Sequence, residues 1–513
     1  MNLGLFFGAG AEMGYGLPSG GKFAIELFRL DPSEEKQALR EQLRTNVNKR
    51  SAYATRWLPD QFWEKNIHAF GKGEFTSLIE SSIENKKDML LERLKDFDSL
   101  VTAQFSSAGF DVQSVEAAYR KQFGRELGSE VYSQVIRLNQ LLGNHGGLFA
   151  SRYYSAILDV VRANPEASLL KRFAIAFLQL LVGSCGHDLI SRLNSEIFTQ
   201  APDDLPIFDD VAGLFRVEMS KGGLDAIDLL ITERSVLGNT SAPSLPDMLA
   251  ALARGALEAL FDGILDYQAL IDSHFRYLFS PRTEWAKFTK MMIFMRLARR
   301  YIISQMPEEH ALPKEGYYHD LARAKEFDIE LKTIGTANYN SLLEKLGVEL
   351  GFEAAKTYHL NGGVSDFYNP YTNDVFSYPT SDQVPVDQLH VPFILTQSGI
   401  KPLTSVNMSR RYVELFDHYA ECDAVAAVGF GFNCDDSHIN GLFRKLIEEH
   451  QKPLYWVEAS EQTEDQLKTR LLERLRLPER CRPLLNPVKV DRSTRRVGNS
   501  LWLEYIGALH EFF

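Results

Sequence analysis

The chain has few cysteines for its length, and none of them belongs to a motif. Four occur among 513 residues, and no two of them have C-x-x-C spacing. Neither a zinc ribbon nor the disulfide framework of a small secreted domain is therefore predicted. We expect a reducing, cytoplasmic compartment and no bound metal. The cysteines are Cys185, Cys422, Cys434 and Cys481.

The sequence also lacks a long hydrophobic run. Its most apolar stretch, residues 173–185, contains Gln179 and is too short to span a bilayer, so a buried helix is predicted there. The N-terminus lacks the basic segment and longer apolar run of a signal peptide. We therefore expect no association with a membrane.

Positive charge is scarce, because 56 lysines and arginines face 68 aspartates and glutamates, for a net charge of −12. Nucleic acid is not expected as the main partner, since binding to its phosphates needs a basic surface. The length of 513 residues predicts two or three domains with cores of their own.

Two glycine turns follow short apolar runs, one near each end of the chain. Residues 3–7 lead into Gly8-Ala9-Gly10-Ala11, and residues 425–428 lead into Gly429 and Gly431. In a doubly wound sheet, such turns let backbone amides approach the pyrophosphate of a dinucleotide. A side chain at Gly10 is then expected to clash with the ligand more than with the protein. The spacing to Gly14 is one residue longer than G-x-G-x-x-G, and a turn without a ligand also fits the pattern.

Strand-like runs are confined to the two ends of the sequence, and helical periodicity dominates between residues 31 and 328. After residue 328, short apolar runs alternate with helical segments, which is typical of βαβ units. The first run, 3–7, cannot form a sheet alone and is predicted to join them. The later runs are 331–334, 356–360, 393–396, 425–428 and 454–457.

The predicted fold is therefore α/β, with a Rossmann-like, mostly parallel sheet that is discontinuous and interrupted by a large all-helical insertion. Residues 1–30 and 329–513 form the predicted nucleotide-binding domain, and residues 31–328 form the insertion. A predicted helix of the insertion, 291–301, carries Arg296, Arg299 and Arg300 along one edge. These cations face either an anionic ligand or solvent, and solvent is the commoner surrounding.

Polar residues follow the predicted strands. Asn338 comes after the run 331–334, His359 and Asn361 end the next run, and Glu458 ends the run 454–457. Ligands of open α/β sheets bind at the carboxyl ends of strands, where an acid often holds ribose hydroxyls. Turn formation and helix capping explain each of these residues singly.

Four segments, in order along the chain, resemble motifs of SIR2-type proteins. Gly8-Ala-Gly10-Ala with Gly16-Leu17-Pro18 resembles the nucleotide loop GAG-[AI]-S…G-[IL]-P, and Thr336-Ala-Asn338-Tyr-Asn340 resembles T-x-N-[YI]-D. Tyr358-His-Leu-Asn361-Gly362 resembles the strand end that normally reads L-H-G. Val428-Gly-Phe-Gly431-Phe-Asn433, followed by His438-Ile439, resembles the I-G-[YF]-[SG]-F-x-D…H-I segment of the prokaryotic branch. The resemblance covers about the first 30 residues and roughly 330 to 460.

The resemblance implies that NAD⁺ is the substrate and that the bond between nicotinamide and ribose is cleaved. Asn338 matches the catalytic asparagine, which positions the ribose or the attacking water. Because Asn338 follows a strand, Asn338→Ala is expected to abolish cleavage with little effect on the fold. The implied NAD⁺-binding residues are Gly8, Ala9, Gly10, Ala11, Glu12, Leu17 and Pro18 in the first loop, and Gly429, Gly431, Asn433 and Glu458 in the later segments.

Three positions depart from the family pattern. The zinc-binding cysteines of the deacetylases are missing, and Ser19-Gly20-Gly21 replaces their D-F-R, as in the NAD⁺-hydrolysing branch. The position of the catalytic histidine falls on Asn361, with His359 two residues before it and, in a strand, on the same face. Either His359 serves as the base, or the site works without one, or the site is inactive.

The sequence therefore predicts an NAD⁺ hydrolase (NADase) that releases nicotinamide and ADP-ribose. The likeness to the prokaryotic branch implies an antiphage defence effector that depletes cellular NAD⁺. The alternatives are a catalytically weak regulatory subunit that binds NAD⁺ or ADP-ribose, and a helical scaffold with a vestigial nucleotide fold. We expect a homo-oligomer, or a complex with a nucleotide-sensing partner protein, in which the insertion makes the main contacts.

Overall fold

The structure of the protein is a computed structural model. It describes residues 1–17, 20–135, 147–164, 166–184, 204–206, 216–218, 224–232, 243–265, 274–352, 356–394, 405–433, 436–460 and 462–511. Pro18, Ser19, Cys185 and Cys434, which the sequence analysis names, lie outside the described residues.

The chain divides into two compact units. One, here called the sheet unit, comprises Met1–Gly20, Leu30–Phe70 and Gln268–Phe513. The other, here called the helical unit, comprises Gly21–Arg29 and Gly71–Tyr267. The division into a nucleotide-binding domain and an insertion, with its boundaries at residues 30 and 328, stays a prediction.

Thirteen strands are present among the described residues. In chain order they are β1 (Asn2–Phe7), β2 (Asp204–Pro206), β3 (Arg216–Glu218), β4 (Glu330–Thr336), β5 (Lys356–His359), β6 (Gly362–Asn369), β7 (Asp374–Ser377), β8 (Val391–Ile394), β9 (Ala424–Val428), β10 (Leu454–Glu458), β11 (Leu485–Lys489), β12 (Arg496–Val497) and β13 (Ser500–Leu501).

Six of these strands form the main sheet of the sheet unit, in the spatial order β11-β10-β9-β1-β4-β5. All five neighbouring pairs are parallel, which confirms the predicted α/β class with a parallel sheet. β1 lies inside the sheet. The next two strands along the chain, β4 and β5, lie on one side of β1, and the later strands β9, β10 and β11 lie on its other side. The direction of growth therefore reverses between β1 and β9.

The strands at this reversal end at the same level. Phe7, the last residue of β1, is paired with Val428 of β9 and with Thr336 of β4. Thr336 is in turn paired with His359 at the end of β5. The turns that follow these four strands therefore start along one edge of the sheet.

Alternate residues of β1 enter two different hydrophobic clusters. Leu3, Leu5 and Phe7 pack on one face of the sheet, and Phe6 packs on the other. Burial on both faces is typical of parallel strands covered by helices on each side. It also explains why the sequence of β1 is continuously apolar rather than alternating.

One predicted strand belongs to a different sheet. The run 393–396 was expected in the parallel sheet, and its residues 395 and 396 lie outside the described residues. Its first two residues belong to β8, which pairs antiparallel with β6, and β6 also pairs with β7. This part of the prediction is wrong, because an apolar run shows that a strand is buried and not which strand it pairs with.

The helices of the sheet unit cover the main sheet and the three-stranded sheet. Its α-helices are Ser33–Thr45, Ala52–Trp57, Trp285–Ser304, Tyr317–Asp320, Leu342–Leu350, Val406–Glu421, Ser437–Glu448, Glu464–Leu475 and Trp502–His510. Its 3₁₀ helices are Ala9–Ala11, Met13–Tyr15, Arg276–Phe279, Glu309–Ala311, Leu321–Phe327, Ser381–Gln383 and Glu479–Leu484.

The helical unit has a core of its own. Phe97 packs edge-on against Tyr154 and Phe177, with ring centroids 5.8 and 4.7 Å apart. Phe177 lies in the helix Ser168–Ser184, whose buried side chains confirm the predicted buried helix over its described part. No helix among the described residues has both the length and the hydropathy needed to cross a membrane. The α-helices are Gly20–Arg29, Lys72–Asn85, Lys87–Lys95, Phe97–Thr102, Phe105–Ala108, Val112–Phe123, Tyr132–Val135, Arg152–Ala163, Ser168–Ser184, Leu224–Thr232 and Leu245–Ile264.

Candidate functional site

The two glycine turns contact each other where the direction of sheet growth reverses. The amide of Gly8 donates to the Val428 carbonyl at 3.0 Å, and the amide of Gly10 donates to the Gly429 carbonyl at 2.9 Å. The backbone hydrogen bonding between β1 and β9 therefore continues for two more bonds beyond the ends of these strands. The structure thus brings the first turn and the Gly429 turn into direct contact.

The close approach of these turns requires glycine on both sides. A Cβ atom on Gly10 would lie 2.9 Å from the Gly429 Cα. Gly429 has a φ of +62°, and a Cβ there would lie 2.2 Å from the Ala11 nitrogen. The expectation that a side chain at Gly10 meets a ligand before it meets the protein is wrong, because the second turn already fills that space.

The amides of the first turn are also engaged within the protein. Beyond the bonds of Gly8 and Gly10, the Ala11 amide donates to the Gly8 carbonyl at 3.0 Å, and the Glu12 amide donates to the Ala9 carbonyl at 3.1 Å. These four amides are not directed at an outside anion. Ala9 and Gly10 lie exposed at the surface of the turn.

Glu12 lies beneath this turn and is only 5% exposed. The Tyr318 hydroxyl donates to its Oε1 at 2.7 Å, and the Asn340 side-chain amide donates to its Oε2 at 2.6 Å. Burial raises the pKa of Glu12, and these hydrogen bonds oppose the shift. Tyr318 was not among the predicted site residues, since it precedes β4 in a short helical segment that carries no motif.

Asn338 joins the end of β4 to the first turn. Its side-chain amide donates to the Gly8 carbonyl at 3.2 Å and to the Tyr318 hydroxyl at 3.3 Å, and it is only 7% exposed. Among the described residues, nothing donates to its side-chain oxygen. The expectation that Asn338→Ala leaves the fold intact stays a prediction, although the buried amide of Asn338 connects three segments inside the protein.

His359, at the end of β5, is held by two acceptors. Its Nδ1 lies 2.8 Å from the Asn338 carbonyl, and its Nε2 forms an ion pair with Glu344 on the helix Leu342–Leu350. A doubly protonated ring satisfies both acceptors. Burial opposes the charge, but Glu344 and the nearby Asp366 outweigh it, so the pKa of His359 is raised.

Asn361 does not share its surroundings with His359. It lies in the turn between β5 and β6, where its Oδ1 accepts a bond of 2.9 Å from the Nε2 of His438. The prediction that both side chains lie on one face of a strand is wrong, because β5 ends at His359. The structure thus brings a histidine, His438 from the helix Ser437–Glu448, into contact with Asn361.

His438 was quoted in the motif comparison but was not predicted as a site residue. His438 and Asn361 are 77 residues apart in the sequence, so their spacing does not predict this contact. Two features of the sequence indicated His438 as a candidate. The pair His438-Ile439 follows the second glycine turn, and position 361 has no histidine.

A cavity of about 760 Å³ opens beside His359. Glu344, Asn340, Asp366 and Arg411 are among the residues that line it. Arg411 donates through both terminal nitrogens to the two oxygens of Asp366, each at 2.7 Å. Of the predicted site residues that the structure describes, His359 alone lines this cavity.

The residues expected on the adenosine side lie around the second turn. Glu458 forms an ion pair of 2.5 Å with Arg470, whose guanidinium lies over the Trp456 ring. The carbonyl of Gly431 accepts a bond from Arg474, and that of Asn433 accepts one of 2.8 Å from Asn440. In the first loop, Leu17 packs at the edge of the core, while Pro18 lies outside the described residues.

No family model matches the chain, and no curated protein and no solved structure matches it.

Proposed function

We propose that the chain binds NAD⁺ at the carboxyl ends of β1, β4 and β9 and hydrolyses it to nicotinamide and ADP-ribose. The observation that carries the proposal is the reversal of strand order between β1 and β9, with a glycine turn after each of these strands. Open α/β sheets bind dinucleotides in the crevice at such a reversal. On this basis we interpret the sheet as Rossmann-like.

Asn338 is the proposed positioning group of the reaction. It follows β4 at the level of the two turns, and its amide is fixed by the Gly8 carbonyl and the Tyr318 hydroxyl. The side-chain oxygen is therefore oriented, and it is able to accept a bond from a ribose hydroxyl or from the attacking water. Cleavage of an N-glycosidic bond builds positive charge on the ribose, so orientation of the reacting groups contributes much of the rate.

The cavity beside His359 is the proposed place for the nicotinamide, and the proposed place for its ribose is between this cavity and Asn338, whose backbone carbonyl contacts His359. The cavity adjoins the end of β5, and its wall contains His359, Glu344 and Asn340. Asn340 also contacts Glu12, which links the cavity wall to the first glycine turn. The adenosine half of NAD⁺ would then lie toward Ala9, Gly10 and the second turn.

A second candidate function is binding of NAD⁺ or ADP-ribose without turnover. Both predicted candidates for the base are engaged within the protein, since His359 contacts Glu344 and Asn361 contacts His438. A histidine that carries a proton on both ring nitrogens accepts none from water. This observation favours a regulatory subunit over an enzyme.

The test is release of nicotinamide from NAD⁺ by the purified full chain, with binding of NAD⁺ and ADP-ribose measured by calorimetry. Turnover that is lost in Asn338→Ala, but kept in Asn499→Ala at an exposed position, supports the hydrolase. Binding without turnover, in the assembled chain and in the dissociated monomer alike, supports the second candidate. Absence of both binding and turnover would contradict both candidates.

A further comparison separates the two candidates for the base. If His359 acts in proton transfer, His359→Ala lowers turnover by about 10²- to 10⁴-fold, the usual range for acid–base catalysis. Asn361→Ala is then expected to lower turnover by a smaller factor than His359→Ala does. The opposite order would assign the role to Asn361 and its partner His438.

A further inference from the structure

An ion pair between Glu458 and Arg470 lies beside the second glycine turn. Glu458 is the last residue of β10, and the carbonyl of the residue before it, Val457, accepts a backbone hydrogen bond of 3.3 Å from Gly429. Arg470 lies on the helix Glu464–Leu475. The ion pair is therefore at the carboxyl end of the main sheet, next to the strands at which we propose that NAD⁺ binds.

Contacts with the second turn hold both elements that carry the ion pair. The Arg470 guanidinium lies 4.5 Å from the centroid of the Trp456 ring, and the Trp456 Nε1 donates to the Phe430 carbonyl at 2.9 Å. One helical turn after Arg470, Arg474 donates to the Gly431 carbonyl. Strand β10 and the helix Glu464–Leu475 are thus both attached to this turn, which fixes the ion pair in relation to it.

The two carboxylate oxygens of Glu458 have different surroundings. Oε2 accepts a bond of 2.5 Å from the Nη2 of Arg470. Within the described part of the chain, nothing donates to Oε1, and this oxygen is not a buried atom. The side chain as a whole is 30% exposed. Glu458 therefore presents an oriented, negatively charged acceptor to a ligand that lies along the second turn.

We propose that Glu458 accepts a hydrogen bond from the adenosine ribose and thereby selects NAD⁺ over NADP⁺. The inference rests on the proposed function, because it names the substrate that the same site takes. An ionised carboxylate only accepts hydrogen bonds, so it pairs with the 2′-hydroxyl of NAD⁺. The 2′-phosphate of NADP⁺ carries negative charge, and its approach to Oε1 is opposed by like-charge repulsion.

Arg470 determines what happens when this repulsion is removed. In Glu458→Gln, the guanidinium keeps its charge and its place over Trp456 but has lost its carboxylate partner. A planar guanidinium binds phosphate oxygens with two parallel hydrogen bonds. The variant should therefore accept the 2′-phosphate that the wild type rejects. The pair of residues, rather than Glu458 alone, decides between the two dinucleotides.

The test is calorimetry of the full chain with ADP-ribose and with ADP-ribose 2′-phosphate. Both probes lack nicotinamide, so binding is measured without turnover. The wild type is expected to bind ADP-ribose about 10- to 100-fold more tightly, the range of a hydrogen bond to a charged group. Equal binding of the two probes overturns the inference and leaves the proposed site in place. Binding of neither probe overturns both, whereas the expected preference in a chain that releases no nicotinamide supports the inference and contradicts only the hydrolysis.

Glu458→Gln, which preserves the shape of the side chain, locates the preference. This variant is expected to bind ADP-ribose 2′-phosphate at least as tightly as ADP-ribose. Glu330→Gln is the matched control, because it removes an exposed carboxylate paired with Lys332 at the start of β4, and it is expected to keep the wild-type preference. Adding Arg470→Met to Glu458→Gln is expected to weaken binding of ADP-ribose 2′-phosphate about 10-fold. An unchanged preference for ADP-ribose in Glu458→Gln overturns the inference.

Discussion

Glu12 is a carboxylate enclosed between two donors, Tyr318 and Asn340, beneath the first glycine turn. Its neighbours satisfy the oxygens but do not fully replace the water that burial removes. Its pKa in the folded protein is therefore raised above the ordinary value of 4.5. Glu12 connects the turn after β1 with the turn after β4 and with the Tyr317–Asp320 segment. Its burial makes ionisation less favourable than in water.

The pH dependence of stability follows from this shift. Since the folded state binds the Glu12 proton more tightly than the unfolded state, the ionised residue lowers the free energy of unfolding as pH rises from 4.5 through the folded pKa. Glu12→Gln has no such proton, so the stability of wild type minus that of Glu12→Gln should fall over this range. Urea denaturation of both proteins from about pH 4 to about pH 8 measures the difference. A difference that is independent of pH would contradict the prediction.

Asn338 has a structural role beside its proposed catalytic one. Asn338→Ala removes the donor to the Gly8 carbonyl and the Tyr318 hydroxyl, both in buried surroundings. We expect a loss of about 1–3 kcal/mol in the free energy of unfolding, the usual cost of leaving buried polar groups unsatisfied. The exposed Asn499→Ala should stay within about 0.5 kcal/mol of wild type. Equal stability of the two variants would show that the Asn338 contacts contribute nothing, and it would make loss of turnover easier to interpret.

At the scale of single elements, the sequence predicts best where burial is continuous. The runs 425–428 and 454–457 lie within β9 and β10 and are buried throughout, as expected of parallel strands covered on both faces. The run 331–334 also lies within β4, although the exposed Lys332 interrupts it. Strand β11 was missed, since Asn486 and Pro487 interrupt its sequence. Proline is tolerated there because β11 pairs with β10 alone, at the edge of the sheet.

The sequence predicts which candidate residues follow the strands, but it does not predict which side chains those residues contact. Glu12, Asn338, His359 and Asn361 are indicated by their places after a strand or turn. Their partners Tyr318, Glu344 and His438 come from helices at other points of the chain, and only the folded structure brings them together. Sequence spacing predicts contacts along one helix or strand, whereas these contacts cross between elements.

The packing of the two glycine turns gives a test at the element scale. Gly10→Ala places a Cβ atom 2.9 Å from backbone atoms of Gly429, so the turns must separate. We expect a loss of about 1–3 kcal/mol in the free energy of unfolding, as for other overpacked positions. Gly14→Ala is the matched control in the same loop, because nothing lies within 4 Å of its added Cβ.

Urea denaturation measures both variants, and calorimetry with NAD⁺ follows for those that fold. Gly14→Ala should be as stable as wild type or slightly more stable, since alanine restricts the unfolded chain. Equal effects of the two substitutions would show that the turns are free to separate. Wild-type NAD⁺ affinity in Gly10→Ala would show that the first turn is no part of the nucleotide site.

At the scale of the whole molecule, the proposed activity needs control. An NADase that is always active would deplete the NAD⁺ of its own cell, so we propose that assembly with further copies or with a partner protein holds it inactive until a signal arrives. The predicted contacts lie within residues 31–328, most of which are helical in the described parts. The helical unit has a core of its own, so its surface is available for contacts without loss of that core.

Two exposed apolar side chains of the sheet unit provide a control for the predicted interface within residues 31–328. Val406 and Val413 lie two turns apart on the helix Val406–Glu421 of the sheet unit and are 71% and 58% exposed. They lie outside residues 31–328, so a double substitution, Val406→Asp with Val413→Asp, should leave the assembly intact. Mass photometry of the wild type should show a multiple of the chain mass, and the double variant should show the same species. Dissociation of the double variant would place the interface on that helix instead, and a monomeric wild type that hydrolyses NAD⁺ at full rate with nothing added would contradict control by assembly.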